Sequence, residues 1–352
     1  MFEYFYNNTW NDDNLSFIQF LFSITIITQI LEIILLIIGV LIGMAYFTLL
    51  ERKLISAIQR RLGPNVVGAF GLLQPFADGL KFLVKETITP THTHGVLFIV
   101  APAMSFILSM IMWVVLPVGY NVVLVDPDLG LLFCFCIGAL AVYGIILAGW
   151  SSNSKYAFLG GLRSTAQMIS YEITIGFVYL CVIVFTQSLN ISEIVYVQSA
   201  TIWFCVPLCF LAVIYFILIL AETNRHPFDL PEAEAELVSG YSVEYSGMVF
   251  ALFFLGEYIN MLSMSSLAVI LFFGGWLSPL GGYVSVFAGC FWFMAKLGVM
   301  LFLFIIARAA FPRYRYDQLM GLGWKIFLPL TAGFFVLEVL VLTSLGCFSN
   351  IL

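Results

Sequence analysis

Apolar residues gather in eight long blocks along this chain, and most of the charged residues fall between them. A helix rises 1.5 Å per residue, so about 20 apolar residues cross a hydrocarbon layer of about 30 Å. The blocks at residues 18–50, 96–117, 129–150, 169–185, 202–220, 249–273, 286–307 and 326–345 are read as membrane spans. The first is too long for an upright crossing and should tilt or project beyond the bilayer. Glycine and proline inside the blocks are compatible with spans, because neighbouring helices can satisfy freed backbone groups.

The polar residues sort the loops into two kinds. Arg52, Lys53, Arg60, Arg61, Lys81 and Lys85 follow the first block. Lys155 and Arg163 lie between the third and fourth, Arg225 between the fifth and sixth, and Arg308, Arg313, Arg315 and Lys325 between the seventh and eighth. The intervening loops carry no lysine or arginine. Basic residues stay on the synthesis side, so eight spans with both termini on the outer face are expected. The fold class is therefore an all-α polytopic membrane bundle of about eight helices, with amphipathic and short helices in the positive-side loops. Residues 54–62 and 72–84 carry such amphipathic patterns, the second with Asp78 and Lys81 one turn apart. No repeat or linker interrupts the chain, so residues 1–352 read as one integral membrane domain. Among the lysines and arginines, Lys296 alone falls inside a span, as a functional group facing the bundle or as a snorkelling lysine.

Composition agrees. The chain is 62% hydrophobic and 10% charged, against roughly 25% charged in soluble domains. Its net charge of −6 argues against nucleic acid as a partner. The seven cysteines sit in or beside apolar blocks without a CxxC, which suits small buried hydrophobes. His92 and His94 lack a third ligand at useful spacing, so no metal site is expected. The first residues show neither a secretory nor a transit pattern. No nucleotide loop, iron–sulfur framework or haem-ligand pair occurs, so any redox role depends on partners.

Acidic residues concentrate around the fifth and sixth blocks. Glu222, Asp229, Glu232, Glu234 and Glu236 lie close together with Arg225, and Glu244 and Glu257 continue the series into the sixth span. Glu172 lies near the start of the fourth. Asp229 and Pro231 suit the start of a helix, so a capped, solvated acidic helix is the plain reading. Acids crowded at membrane depth instead suit proton exchange, and a chain of them suits a relay. Glu51 ends the first span beside Arg52, which offers a compensating cation. Arg308, Arg313 and Arg315 stand among aromatic residues at the seventh span's end, either as interface anchors or as the mouth of a cavity for an amphiphile with a polar ring.

At these residues the chain resembles chain 1 of NADH:ubiquinone oxidoreductase, respiratory complex I. The matching segments are Leu50-Glu-Arg-Lys53, Arg61-Leu-Gly-Pro-Asn-Val-Val-Gly68, Gly71-Leu-Leu-Gln-Pro75, Ser151-Ser-Asn-Ser-Lys-Tyr-Ala157, Ser170-Tyr-Glu172, Ala221-Glu-Thr-Asn-Arg225, Pro227-Phe-Asp229, Glu236-Leu-Val-Ser-Gly240, Val243-Glu-Tyr245, Gly256-Glu-Tyr258 and Arg313-Tyr-Arg-Tyr-Asp-Gln318. The resemblance implies a core membrane subunit that is not catalytic alone. It implies Arg52, Asp78, Phe228 and Arg308 for the quinone tunnel. Glu51, Glu172, Glu222, Asp229, Glu232, Glu234, Glu244 and Glu257 are implied for an acidic path coupling quinone reduction to proton translocation. Ubiquinone is the implied substrate, with FMN and iron–sulfur clusters confined to partner subunits. Implied partners are the quinone-site and terminal-cluster subunits of the peripheral arm, small neighbouring membrane subunits and lipid. The implied location is the mitochondrial inner membrane, or a bacterial plasma membrane. A hydrogenase membrane anchor and an autonomous ion transporter are the alternatives. His226 and the long N-terminal tail depart from the family pattern.

Overall fold

A computed structural model describes residues 12–229, 239–279 and 286–344, with side chains from residue 27 onward and, in the last segment, from 288. Glu232, Glu234 and Glu236, and the helix expected to begin near Pro231, lie outside the described residues. The chain divides into two compact units, Met1–Gly43 and Met44–Leu352. Helix α1 (Asp12–Ile58) supplies the described part of the first unit, where Ile27, Leu31 and Leu35 are exposed as a lipid-facing helix requires.

Among the described residues, the second unit holds the end of α1 and ten further α-helices. They are α2 (Gln74–Val84), α3 (Gly95–Met112), α4 (Gly130–Ser151), α5 (Lys155–Thr186), α6 (Ile191–Ala200), α7 (Cys209–Glu222), α8 (Gly247–Phe272), α9 (Val286–Ala310), α10 (Tyr316–Leu322) and α11 (Leu328–Ser344). A π turn at Gly323–Phe327 joins the last two. Among the described residues the sole β pairing is the isolated bridge of Gly119 with Val122. Among the described residues, seven helical segments are long and apolar enough to cross a membrane, and the 14-residue α7 is a shorter apolar eighth. The protein is an all-α polytopic bundle, as its apolar blocks predict.

The boundaries differ in ways that matter. The segment at 54–62 is not a separate interface helix: α1 continues to Ile58, so Arg52 and Lys53 ride on its last turns. The 72–84 pattern does form a helix, α2, opened by Pro75, which lacks the donor a first turn leaves idle. Lys155, Arg163 and Arg308 likewise sit within helices rather than loops. The fifth span starts after Pro207, seven residues later than its apolar run suggests, at Cys209 rather than residue 202.

Helix α8 is the central post, with Met261–Phe272 buried on every side. A helix apolar all round belongs inside a bundle, and α8 packs against α3, α7 and α9. Beside it, α3, α4 and α5 enclose a cluster of Phe98, Ala101, Val142, Ile145 and Met168 with Tyr241, Tyr245 and Phe253. Tyr245 lies flat on Phe98, with ring centroids 4.0 Å apart. Gly160 lets α5 approach the turn at Gly240: a Cβ there would stand 2.6 Å from the Gly240 Cα.

Lys296 does not reach for the bilayer surface. Its ammonium donates to the carbonyls of Phe273 (2.7 Å), Gly275 (3.0 Å) and Leu277 (2.6 Å), and lies 4.3 Å from the Trp203 ring centre. All three donors are used, on carbonyls of the C-cap and the turn that follows α8. Lys296→Met leaves three acceptors without this donor, at about 1–3 kcal/mol for each acceptor that stays buried and unmet. The unfolding midpoint in detergent should fall clearly; an unaltered midpoint contradicts the capping role.

Candidate functional site

Two cavities flank one buried arginine. The wider, about 590 Å³, lies where α1 meets α8 and α9. Its wall includes Glu51, Arg52, Arg61, Pro64, Tyr258 and Arg308. Pockets of about 300–1,000 Å³ with a few placed polar groups are typical for small-molecule ligands. Gly71 holds one rim, since its φ of +77° favours glycine and a Cβ there would stand 2.2 Å from the Pro64 oxygen.

Glu51 is the centre of this wall. Its carboxyl is 5% exposed. The Tyr258 hydroxyl donates to it at 2.6 Å, the Arg308 guanidinium donates to its other oxygen, and Arg225 stands 3.7 Å away. A carboxylate withdrawn from water is tolerable only with such company. Arg52 turns elsewhere, to Asp78 at 2.7 Å, and Gln74 donates to the same carboxylate at 3.1 Å.

The second cavity is narrow, about 60 Å³, and lies between α3, α4, α5, α7 and α8. Glu222, Asn224, Glu257, Asn260 and Ser109 are among its lining residues. Glu222 is 2% exposed, and its Oε2 has no hydrogen-bond partner. Glu172 is half-buried on α5, which packs against the helix that carries Glu222. Water occupies so small a space only when polar groups line it, which these do.

Arg225 stands between the two. Its Nε lies 3.0 Å from Glu257 in the narrow cavity, and its Nη1 faces Glu51 in the wide one. Its plane sits 4.3 Å over the Tyr258 ring, whose hydroxyl bonds Glu51. The chain reverses immediately after α7, which puts the cation of Ala221-Glu-Thr-Asn-Arg225 back under the bundle.

The expected residues thus divide. Glu51, Arg52 and Arg308 share the wide cavity, with Asp78 one contact behind. Glu222 and Glu257 share the narrow one. Phe228 is 3% exposed and stacks on Tyr314 at 5.5 Å, away from both linings. Asp229 pairs with Arg313 at 3.2 Å, and half-buried Glu244 lines neither cavity. Sequence reasoning misses Arg225 and Tyr258 as site residues, although Arg225 is the one cation within the acid-rich stretch. It also misses Glu338, 7% exposed in α11 beside the Cys181 thiol; a charge inside the last apolar block is its signal.

His226 lies beside this site. Burial holds its imidazole below the ordinary value of 6.5, with Arg313 and Arg308 adding to the effect. The unfolded chain then binds the proton first as pH falls, so this contribution to stability is present above about 6.5 and is lost on acidification. His226→Gln should flatten the fall in melting temperature between about pH 6.5 and 5.5. An equal fall in both proteins rules the imidazole out.

The sequence model of the family described as NADH dehydrogenase matches residues 31–339. The chain is 58% identical over 301 residues to NADH-ubiquinone oxidoreductase chain 1 of Triticum aestivum, covering 85% of this chain and 92% of that one. It is 55% identical over 307 residues to NADH-ubiquinone oxidoreductase chain 1 of Chondrus crispus, covering 87% and 94%. Among bacteria, it is 55% identical over 322 residues to an NADH-quinone oxidoreductase subunit of Paramagnetospirillum magneticum, covering 91% and 94%. With a family match across most of its length and relatives this similar over nearly their full lengths, the chain belongs to the NADH dehydrogenase family.

Proposed function

We propose that this chain is the core membrane subunit of a proton-pumping NADH:ubiquinone oxidoreductase, where it forms part of the quinone tunnel and an acidic path for protons. The observation that carries this reading is Arg225, ion-paired to Glu257 of the narrow cavity and facing Glu51 of the wide one. A quinone ring in the wide cavity meets Arg308 and Tyr258 as donors. Both also serve Glu51. A ligand that draws on Arg308 leaves Glu51 to pull on Arg225 instead. Arg225 then loosens from Glu257, and a carboxylate that loses its cation in a low-dielectric site takes up a proton. Glu222, across the same cavity, is next in line.

Arg52 with Asp78 guards the outer edge of the quinone passage, and Phe228, packed between Tyr171 and Tyr314 outside this cavity's lining, belongs to the passage's continuation. Asp229, Glu232, Glu234 and Glu244 extend the acidic path on the positive side. The flavin and iron–sulfur clusters belong to the peripheral-arm subunits that dock on that face, and both termini lie on the outer side. The relatives come from bacteria, a plant and an alga; the phenylalanine-rich composition favours the mitochondrial inner membrane. The relatives named above all belong to quinone oxidoreductases, which favours this reading over a hydrogenase anchor.

Arg308→Ala tests the quinone half. Losing one charge-assisted hydrogen bond, at about 1.5–3 kcal/mol, should raise the apparent quinone KM roughly tenfold or more or lower turnover similarly. Unchanged KM and turnover in native membranes would remove Arg308 from the tunnel.

A further inference from the structure

Two buried tyrosines repeat the geometry of the acids deeper in the bundle. Tyr179 lies seven residues after Glu172 on α5, and Tyr215 seven residues before Glu222 on α7. Seven residues are two turns, about 10.5 Å. The hydroxyls meet at 3.1 Å, with Tyr215 0% and Tyr179 5% exposed. The two helices pack together, and the matched registers mean that they run antiparallel. One layer of the α5–α7 seam therefore carries two carboxyls, and the layer two turns further in carries two phenols.

The polar layers are not isolated from one another. Phe135 of α4 packs edge-on against Tyr179, with ring centroids 6.0 Å apart. One turn along α4, Ile137 and Gly138 line the narrow cavity that holds Glu222. The wall of that cavity thus comes within about one turn of α4 of a residue that touches Tyr179. Two phenols facing each other have two O–H donors, but only one can donate within the pair. The other needs an acceptor outside the pair. A pair kept solely to fill space would be served by phenylalanine, without burying two hydroxyls.

We propose that Tyr179 and Tyr215 form a further proton-transfer station, extending the Glu172–Glu222 acids two turns deeper into the membrane. This rests on the acidic-path reading above. A proton delivered through water arrives on the Tyr215 oxygen while that hydroxyl's own proton passes to the Tyr179 oxygen. The Tyr179 proton leaves to the next water, and both hydroxyls rotate back. One O–H bond forms for each that breaks. No electron moves and neither phenol has to remain ionised.

The test uses the assembled complex in sealed native vesicles. Protons translocated per NADH oxidised are measured for Tyr179→Phe, Tyr215→Phe, the double variant and Glu222→Gln. Removing one hydroxyl strands its partner, whereas removing both keeps the shape and leaves nothing unpaired. A structural pair therefore recovers in the double variant. A relay does not: the double variant should assemble and still translocate at least threefold fewer protons per NADH. Normal stoichiometry in the double variant, with Glu222→Gln impaired, overturns the tyrosine station alone. Normal stoichiometry in Glu222→Gln overturns the acidic path beneath it. Should the double variant not accumulate, Tyr215→Phe decides, since an unchanged ratio there contradicts a relay.

Discussion

Arg225→Leu is expected to abolish coupled NADH:ubiquinone activity, with at least a hundredfold loss or failure of the complex to assemble. The reasoning is electrostatic. Arg225 is 11% exposed at its side chain and serves Glu257 at 3.0 Å and Glu51 at 3.7 Å, whose side chains are 15% and 5% exposed. Removing one partner of a buried pair costs about 3–5 kcal/mol because the remaining charge is uncompensated. Glu51 retains Arg308, and Glu257 loses an ion pair made at 3.0 Å, so both cavities are perturbed. Arg225→Lys keeps the charge but replaces a planar fork with a point donor and weakens the stacking on Tyr258. It should assemble and retain intermediate activity. The measurement is quinone reductase rate normalised to complex content on a native gel. Near-normal rates in Arg225→Leu would show that the two cavities do not depend on their shared cation.

Glu222→Gln carries the second large effect. The side chain is 2% exposed and one of its oxygens has no hydrogen-bond partner. Glutamine keeps its size, so assembly should persist, but an amide cannot carry the proton. Turnover should drop at least tenfold while the apparent quinone KM stays within about twofold, the pattern of a lost step rather than a lost binding contact. A raised KM with normal turnover would place Glu222 in substrate binding instead.

Much of this architecture was legible because lipid makes it so. Unmet backbone groups cannot face hydrocarbon, which leaves helices as the form for long apolar blocks, and each of the eight blocks carries a helix among the described residues. Boundaries were less legible. The alternation at 54–62 fits an interface helix and the tail of a long span equally well, and continuity of α1 to Ile58 depends on packing that periodicity does not encode. The site divided in the same way. Glu51, Arg52 and Arg308 are 257 positions apart at the extremes yet share a wall, and the motif order pointed to each. Arg225 was visible only as a lone cation among acids. Its role between two cavities comes from a chain reversal after α7. Tyr179 and Tyr215 gave no signal, since two tyrosines in apolar blocks look like ordinary core until their helices are placed side by side.

The link between quinone chemistry and the acids is tested most directly by infrared difference spectroscopy on the reconstituted complex, comparing oxidised and reduced quinone pools. A carboxyl C=O band should change on quinone reduction, shift in deuterated buffer, and lose its main component in Glu222→Gln or Glu257→Gln. A spectrum with no carboxyl change, or one identical in both variants and the parent, would contradict proton uptake at these acids.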